Sequence, residues 1–159
     1  MVPIRVRGTL TSIRPATEED ADLLVAWHAD PEVSRYWDGK TFARDAMLER
    51  LRRPDVEPFV IEDAGRPVGY LQAWREGDDG GLDMFLVPDA RGRGLGPDAA
   101  RTLARHLLEE RNWIRVTVDP YIWNDAARRA WRRAGFREVE EREPDSEHTA
   151  RWLLMEFEG

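Results

Sequence analysis

The chain has 159 residues, a 42% hydrophobic fraction and a formal net charge of −7, the size and composition of one domain able to bury a core around a central sheet. The lack of cysteine excludes disulfides and thiolate nucleophiles, and three scattered histidines (His28, His106, His148) argue against a metal centre. No apolar run approaches the roughly 20 residues of a membrane helix, and the acidic balance disfavours a nucleic-acid surface while suiting a cationic partner.

Met1 to Gly8 carries two arginines and no apolar h-region, so neither a secretory signal nor a transit peptide is read, and the cytoplasm is the expected location. Thr9 to Arg14 reads as a strand ended by Pro15. Thr17-Glu18-Glu19-Asp20 supplies an N-cap and first-turn acids for a helix to about Trp27. Asp30 to Trp37 predicts a turn and a short helix. Thr41 to Arg52 has helical spacing, with Met47, Leu48 and Leu51 on one side. Pro58 to Asp63 and Pro67 to Trp74 form a hairpin through Ala64-Gly65-Arg66, and Asp78-Asp79-Gly80-Gly81 reads as a polar turn. Leu82 to Val87 is a strand, Gly92 to Gly96 a glycine turn, and Pro97 to Glu110 a helix whose stripe is Ala100, Leu103, Ala104, Leu107 and Leu108. Ile114 to Val118 follows as a strand. Because a helix separates it from the strand at 82–87, the two should run parallel, with the glycine turn at a strand's carboxyl end. Asn124 to Ala134 is a further helix, and Phe136 to Glu143 and Arg151 to Phe157 close the chain as paired strands. There are no repeats or linkers, and one domain over 1–159 is expected.

The run Arg91-Gly92-Arg93-Gly94-Leu95-Gly96 sits between a strand and a helix, where free amides and the positive end of a helix dipole converge. That placement predicts a phosphate cradle, with Arg91 and Arg93 adding charge, over a mere tight turn with solvated arginines. A Walker A loop would need Gly-Lys-Ser/Thr, which is absent. A dinucleotide fingerprint would need a glycine where Pro97 stands and more βα units ahead of it, although Asp119 ends the next strand where that fold places an acid.

Arg91-x-x-Gly94-x-Gly96 resembles the pyrophosphate signature of the GNAT acetyltransferase superfamily, and Asn124-x-x-Ala127-x-x-x-Trp131-x-x-x-Gly135-Phe136 resembles its second signature. The likeness runs from Ile13-Arg14-Pro15 through Val68-Gly69-Tyr70 to the last strand. It implies a mixed α/β fold: a mostly antiparallel sheet flanked by helices, whose parallel fourth and fifth strands, at 82–87 and 114–118, splay to admit acetyl-CoA as cosubstrate. It further implies that amides near Leu86 and Val87 hold the pantetheine and polarise the thioester carbonyl, that Asn124 lines the pantetheine arm, and that the amine attacks directly in a ternary complex. Two departures stand out. Pro97 removes an amide from the cradle while suiting a first helical turn. Trp131 stands where relatives carry a tyrosine acid; an indole cannot serve as one near neutral pH, and packing on the stripe Ala127-Ala130-Trp131-Ala134 accounts for it.

The acceptor follows from carboxylates. A lysine-like amine, with a pKa of about 10, is protonated at pH 7 and attacks only after losing a proton. Asp83 interrupts an apolar strand on the face of Phe85 and Val87, where an unpaired carboxylate would be costly, and a role at the site is favoured over an ordinary strand-edge aspartate. Asp119 precedes Pro120, where an Asx turn competes with a functional role. Within the superfamily the chain resembles aminoglycoside 6'-N-acetyltransferases through Tyr36-Trp37-Asp38-Gly39, Gly81-Leu82-Asp83 and Val118-Asp119-Pro120. The resemblance implies Asp83 as amine contact and base, Asp119 as a second anionic anchor, and Trp37 as a wall against sugar rings. Asp79, with Asp78, is a weaker substrate contact. Alternatives are acylation of siderophore hydroxylysine, where histidine tends to replace Asp83, acetylation of protein amines, and a non-catalytic acyl-CoA-binding module suggested by Trp131. A small-molecule amine and coenzyme A are thus the expected partners, with neither nucleic acid nor membrane; monomer and homodimer remain open.

Overall fold

The computed structural model describes residues 5–77 and 79–159, the side chain of Asp79 excepted. The strands are Val6–Arg7 (β1), Ser12–Pro15 (β2), Val56–Asp63 (β3), Arg66–Glu76 (β4), Asp79–Leu86 (β5), Arg115–Val118 (β6), Phe136–Arg142 (β7) and Trp152–Phe157 (β8). Among the described residues they form one eight-stranded sheet in the order β1-β2-β3-β4-β5-β6-β8-β7. Every pairing is antiparallel except β5 with β6, which is parallel and brief: Asp79, Gly80 and Gly81 pair with Arg115, Val116 and Thr117, and the register ends there. From Leu82 onward β5 keeps β4 on one side while β6 turns away to pair with β8. The sheet is therefore split between two central strands.

Alternation along β5 divides the core. Leu82, Met84 and Leu86 join the larger cluster, built with Leu95–Glu109 (α4) and Asp125–Ala134 (α5). Phe85 joins Tyr70 on the other face, with Ala21–Ala29 (α1), Pro31–Ser34 (α2) and Arg44–Leu51 (α3). Met47 is buried there, with Leu48 and Leu51 packed against the same cluster, as the spacing of α3 predicts. The stripe of α4 also matches, with Leu103, Ala104 and Leu107 fully buried.

Besides the unexpected short strand β1 and shifts of a few residues at other ends, three departures from the sequence reading have local reasons. Gly80 and Gly81 lie in β5, not in a turn, because the Trp74 backbone and indole cover them: a Cβ on Gly81 would stand 2.3 Å from the Trp74 ring. Asp78 lies outside the described residues. Residues 9–11 precede β2 as a loop, because the Asp98 carboxylate on α4 accepts the amides of Thr9, Leu10 and Thr11 and the Thr11 hydroxyl at 2.8–3.1 Å. Finally, α4 begins at Leu95, so Gly96 is in its first turn ahead of Pro97. Within β2, Arg14 binds Asp20 through two bonds of 2.9 Å and Glu62 at 3.1 Å, tying β2 and β3 to the start of α1.

Candidate active site

The open side of β5 is defined by its hydrogen bonds. The Val87 amide donates to the Val68 carbonyl on β4 at 2.9 Å. Successive amides in a strand face opposite edges, so that of Leu86 turns toward the gap left by β6. The Leu86 carbonyl faces the same way and accepts Arg91 Nε at 3.2 Å. Of the two amides expected to meet a pantetheine arm, Leu86 is thus on the open edge, whereas Val87 is consumed by the sheet.

Beside the gap stands the glycine turn. Among the described residues, no amide from Gly92 to Gly96 donates to a protein acceptor, and the first bond of α4 is from Asp98 to the Gly94 carbonyl. Unsatisfied donors at a helix N-terminus form an anion site, and five in succession are what a pyrophosphate can fill. Gly94 is there for its backbone, at φ 78°, while Gly96 is there for packing, since a Cβ would stand 3.2 Å from Met84 Cε and 3.4 Å from Leu86 Cδ1. Leu95 is buried beneath the turn. The arginines point elsewhere. Arg91 donates to the carbonyls of Leu86 and Glu32 and lies over the Tyr36 ring, and Arg93 pairs with Asp63. The charge expected from both is engaged in bracing β5, α2 and β3, so what the turn could offer an anion is its backbone amides. Asn124 caps α5, accepting the Ala127 amide at 3.1 Å through its carbonyl oxygen.

Across the sheet, on the face of α1–α3, Asp83 is half-buried. Gln72, directly opposite on β4, donates its amide to Asp83 Oδ2 at 3.0 Å. The amide can face only that way, because Gln72 Oε1 accepts both the Tyr70 hydroxyl (2.9 Å) and Arg50 (3.1 Å). Burial, then the negative charge of Asp119, raises the Asp83 pKa to about 7, against the opposing Gln72 bond and Arg50. A carboxylate poised there can exchange a proton with an amine at neutral pH. The sequence marked Asp83 by its intrusion into an apolar strand, but Gln72, Tyr70 and Arg50 gave no local signal; only the β4–β5 register and α3 bring them together.

Trp37 lies in this face, edge-on to His28, Tyr70 and Phe85 at 5.6–6.0 Å, with Arg50 over its ring. It is packed into the aromatic cluster, and the exposed aromatic surface belongs to its neighbours: Trp123 is 55% exposed and stacks between Tyr36 and Tyr121. The Tyr121 hydroxyl donates to Asp38 at 3.0 Å, joining the loop after α2 to the loop after β6. His28 is buried, its Nδ1 without a partner, and burial lowers its pKa to about 4. It is therefore a neutral ring among aromatics. The side chain of Asp79, expected as a substrate contact, lies outside the described part.

Asp119 is not a free anchor. Its Oδ2 lies 2.7 Å from His148 Nε2, and His148 Nδ1 lies 2.8 Å from Asp145 Oδ1. Neither His148 nor Asp145 was singled out by sequence, since both belong to an irregular loop between β7 and β8. Trp131, in turn, is buried against Phe136, with ring centroids 5.3 Å apart.

Residues 11–137 match the family model described as an acetyltransferase (GNAT) domain. The chain is 26% identical over 147 residues to aminoglycoside N(6')-acetyltransferase type 1 of Klebsiella pneumoniae, with 79% of this chain and 73% of that protein covered. The solved structure of AAC(6')-Ib in complex with paromomycin and acetyl-CoA superposes with a TM-score of 0.81 at 23% identity, over 93% of each chain. A ribosomal L7/L12 α-N-protein acetyltransferase gives a TM-score of 0.82 at 13% identity, over 98% of this chain and 94% of that one. At these identities the solved structures speak to fold alone.

Proposed function

The chain belongs to the GNAT acetyltransferase family and is an N-acetyltransferase; we propose that its acceptor is a small polycationic amine, foremost the 6'-amine of an aminoglycoside, which attacks directly in a ternary complex. Acetyl-CoA, the cosubstrate, supplies the activated acyl group. The amides of Gly92, Arg93, Gly94, Leu95 and Gly96, unpartnered among the described residues, fit its pyrophosphate, and the open edge at Leu86 fits the pantetheine, with Asn124 a candidate to line it. The Leu86 amide is the candidate donor to the thioester carbonyl.

The observation that carries the acceptor assignment is Asp83. It receives a proton or hydrogen bond from the acceptor ammonium, and Gln72 fixes which carboxylate oxygen remains for that contact. Asp119 offers a second, weaker anionic contact through the oxygen that His148 leaves unbound. The wall for sugar rings falls to Trp123 and Tyr36, with Trp37 packed behind. Trp131 is occupied in the core, so the departing thiolate takes its proton from solvent.

The test is thiol release from acetyl-CoA across aminoglycosides, polyamines, hydroxylysine derivatives and peptides. Turnover on an aminoglycoside, lost in Asp83→Asn, is expected. Turnover confined to peptides or hydroxylysines reassigns the acceptor, and none with any amine leaves an acyl-CoA-binding module.

A further inference from the structure

His148 is a titratable ring only 9% exposed, in a loop where such burial requires a compensating partner. It has two, Asp119 and Asp145, one at each ring nitrogen. A neutral imidazole has one N–H, so only the imidazolium can donate to both carboxylates. The ring lies on Trp152 at 4.1 Å and 14°, while Tyr121 meets its edge at 5.9 Å. The Trp152 indole donates to Asp145 at 3.1 Å, and Asp145 also accepts the amides of Glu147 and His148. The clamp is thus held on one face by Trp152, at its edge by Tyr121 and at both nitrogens.

We infer that His148 is a specificity-determining residue of the acceptor site, a built-in cation between Asp119 and Asp145 that leaves the two carboxylates one net negative charge for an acceptor instead of two. This rests on the reading of Asp83 and Asp119 as acceptor-facing groups. The favoured acceptor carries one ammonium beyond the attacking amine near Asp119, and further ammonium groups gain nothing at this cluster. The same cation acts on Asp83. Asp119 and Asp38 raise the proton affinity of Asp83, Gln72 and Arg50 lower it, and His148 is bonded to Asp119, whose charge it should offset. The ring is charged while Asp83 titrates, because the Asp119 and Asp145 bonds outweigh burial and raise its pKa to about 9. Arg142, 5.5 Å over the Trp152 ring, is a further cation near the cluster.

His148→Gln keeps hydrogen-bonding capacity and removes the charge. In the ligand-free variant the Asp83 carboxyl carbon, followed by 13C NMR, should titrate about half a pH unit or more above wild type. Along a series of di-, tri- and tetra-amines, the variant's KM should fall roughly fivefold more steeply than the wild type's as ammonium groups are added. An unmoved Asp83 titration in a folded variant overturns the inference. Should the variant not fold, the wild-type ring decides: 15N spectra should show both nitrogens protonated at pH 8, and a ring titrating near 6.5 overturns the assignment. If no amine is acetylated at all, the acceptor reading fails on its own, and the spectroscopic measurements still judge His148.

Discussion

Replacing Asp83 by Asn separates its proton chemistry from its shape. With a pKa of about 7, Asp83 is ionised in about a tenth of molecules at pH 6 and about nine-tenths at pH 8, so kcat/KM for the acceptor should rise roughly tenfold between them. Below pH 6 the slope should approach one decade per unit. In Asp83→Asn that limb should vanish and kcat/KM at pH 8 should fall by roughly 10²-fold or more. The Asn carbonyl can still accept the Gln72 amide, so the side chain keeps its place and acetyl-CoA affinity should be unchanged. Stability should move the other way. A carboxyl whose folded pKa is raised from 3.8 stabilises the protein fully below the unfolded value and loses that contribution as pH rises through about 7. Removing the charge should therefore raise Tm at pH 8 relative to wild type. Thiol release at saturating acetyl-CoA from pH 5.5 to 9, with thermal melts, measures both. A variant that retains either wild-type turnover or the limb near pH 7 refutes the assignment of the base.

Gly94→Val forces a β-branched residue to φ 78°, and Gly96→Val pushes α4 away from Met84 and Leu86; each should weaken acetyl-CoA binding more than tenfold by calorimetry, and unchanged affinity in a folded variant removes the cradle. Trp131→Ala should cost about 3–5 kcal/mol in denaturant unfolding, from its packing against Phe136; Trp131→Tyr should raise turnover or leave it unchanged, and selective loss of turnover in a stable Trp131→Ala protein would reverse that reading. Two histidines bound the stability profile from opposite sides. His148, raised to about 9, contributes fully below about pH 6.5, and its contribution disappears as pH climbs through 9; His28, lowered to about 4, contributes above about 6.5, and its contribution disappears as pH falls through 4. Melts across pH should lose their alkaline decline in His148→Gln.

What the sequence disclosed was local. The glycine turn lies between a strand and a helix, the stripe of α4 repeats at helical spacing, and Asp83 breaks an apolar strand; each of these can be seen within a dozen residues. What it concealed depends on register and loops. Gln72 reaches Asp83 because β4 and β5 pair residue for residue. His148 reaches Asp119 across a loop without periodicity. Arg91 and Arg93 look like phosphate ligands by position, yet carbonyls and Asp63 from other elements claim them. Gly80 and Gly81 imitate a turn by composition, and only the Trp74 indole lying over them explains why they sit in a strand.

The carboxylate of Asp98 has a consequence for the order in which the chain can assemble. Its four bonds reach residues 87–89 positions earlier, so during synthesis the amides of Thr9, Leu10 and Thr11 must wait until most of the sheet has left the ribosome. The N-terminal edge can therefore close only after Asp98 has been made and placed. Because Asp98 lies in the first turns of α4, just after the glycine turn, that closure also ties the first strands to the base of the turn. On the reading proposed for the glycine turn, a nascent chain that has not drawn in its first strands should bind the coenzyme less tightly.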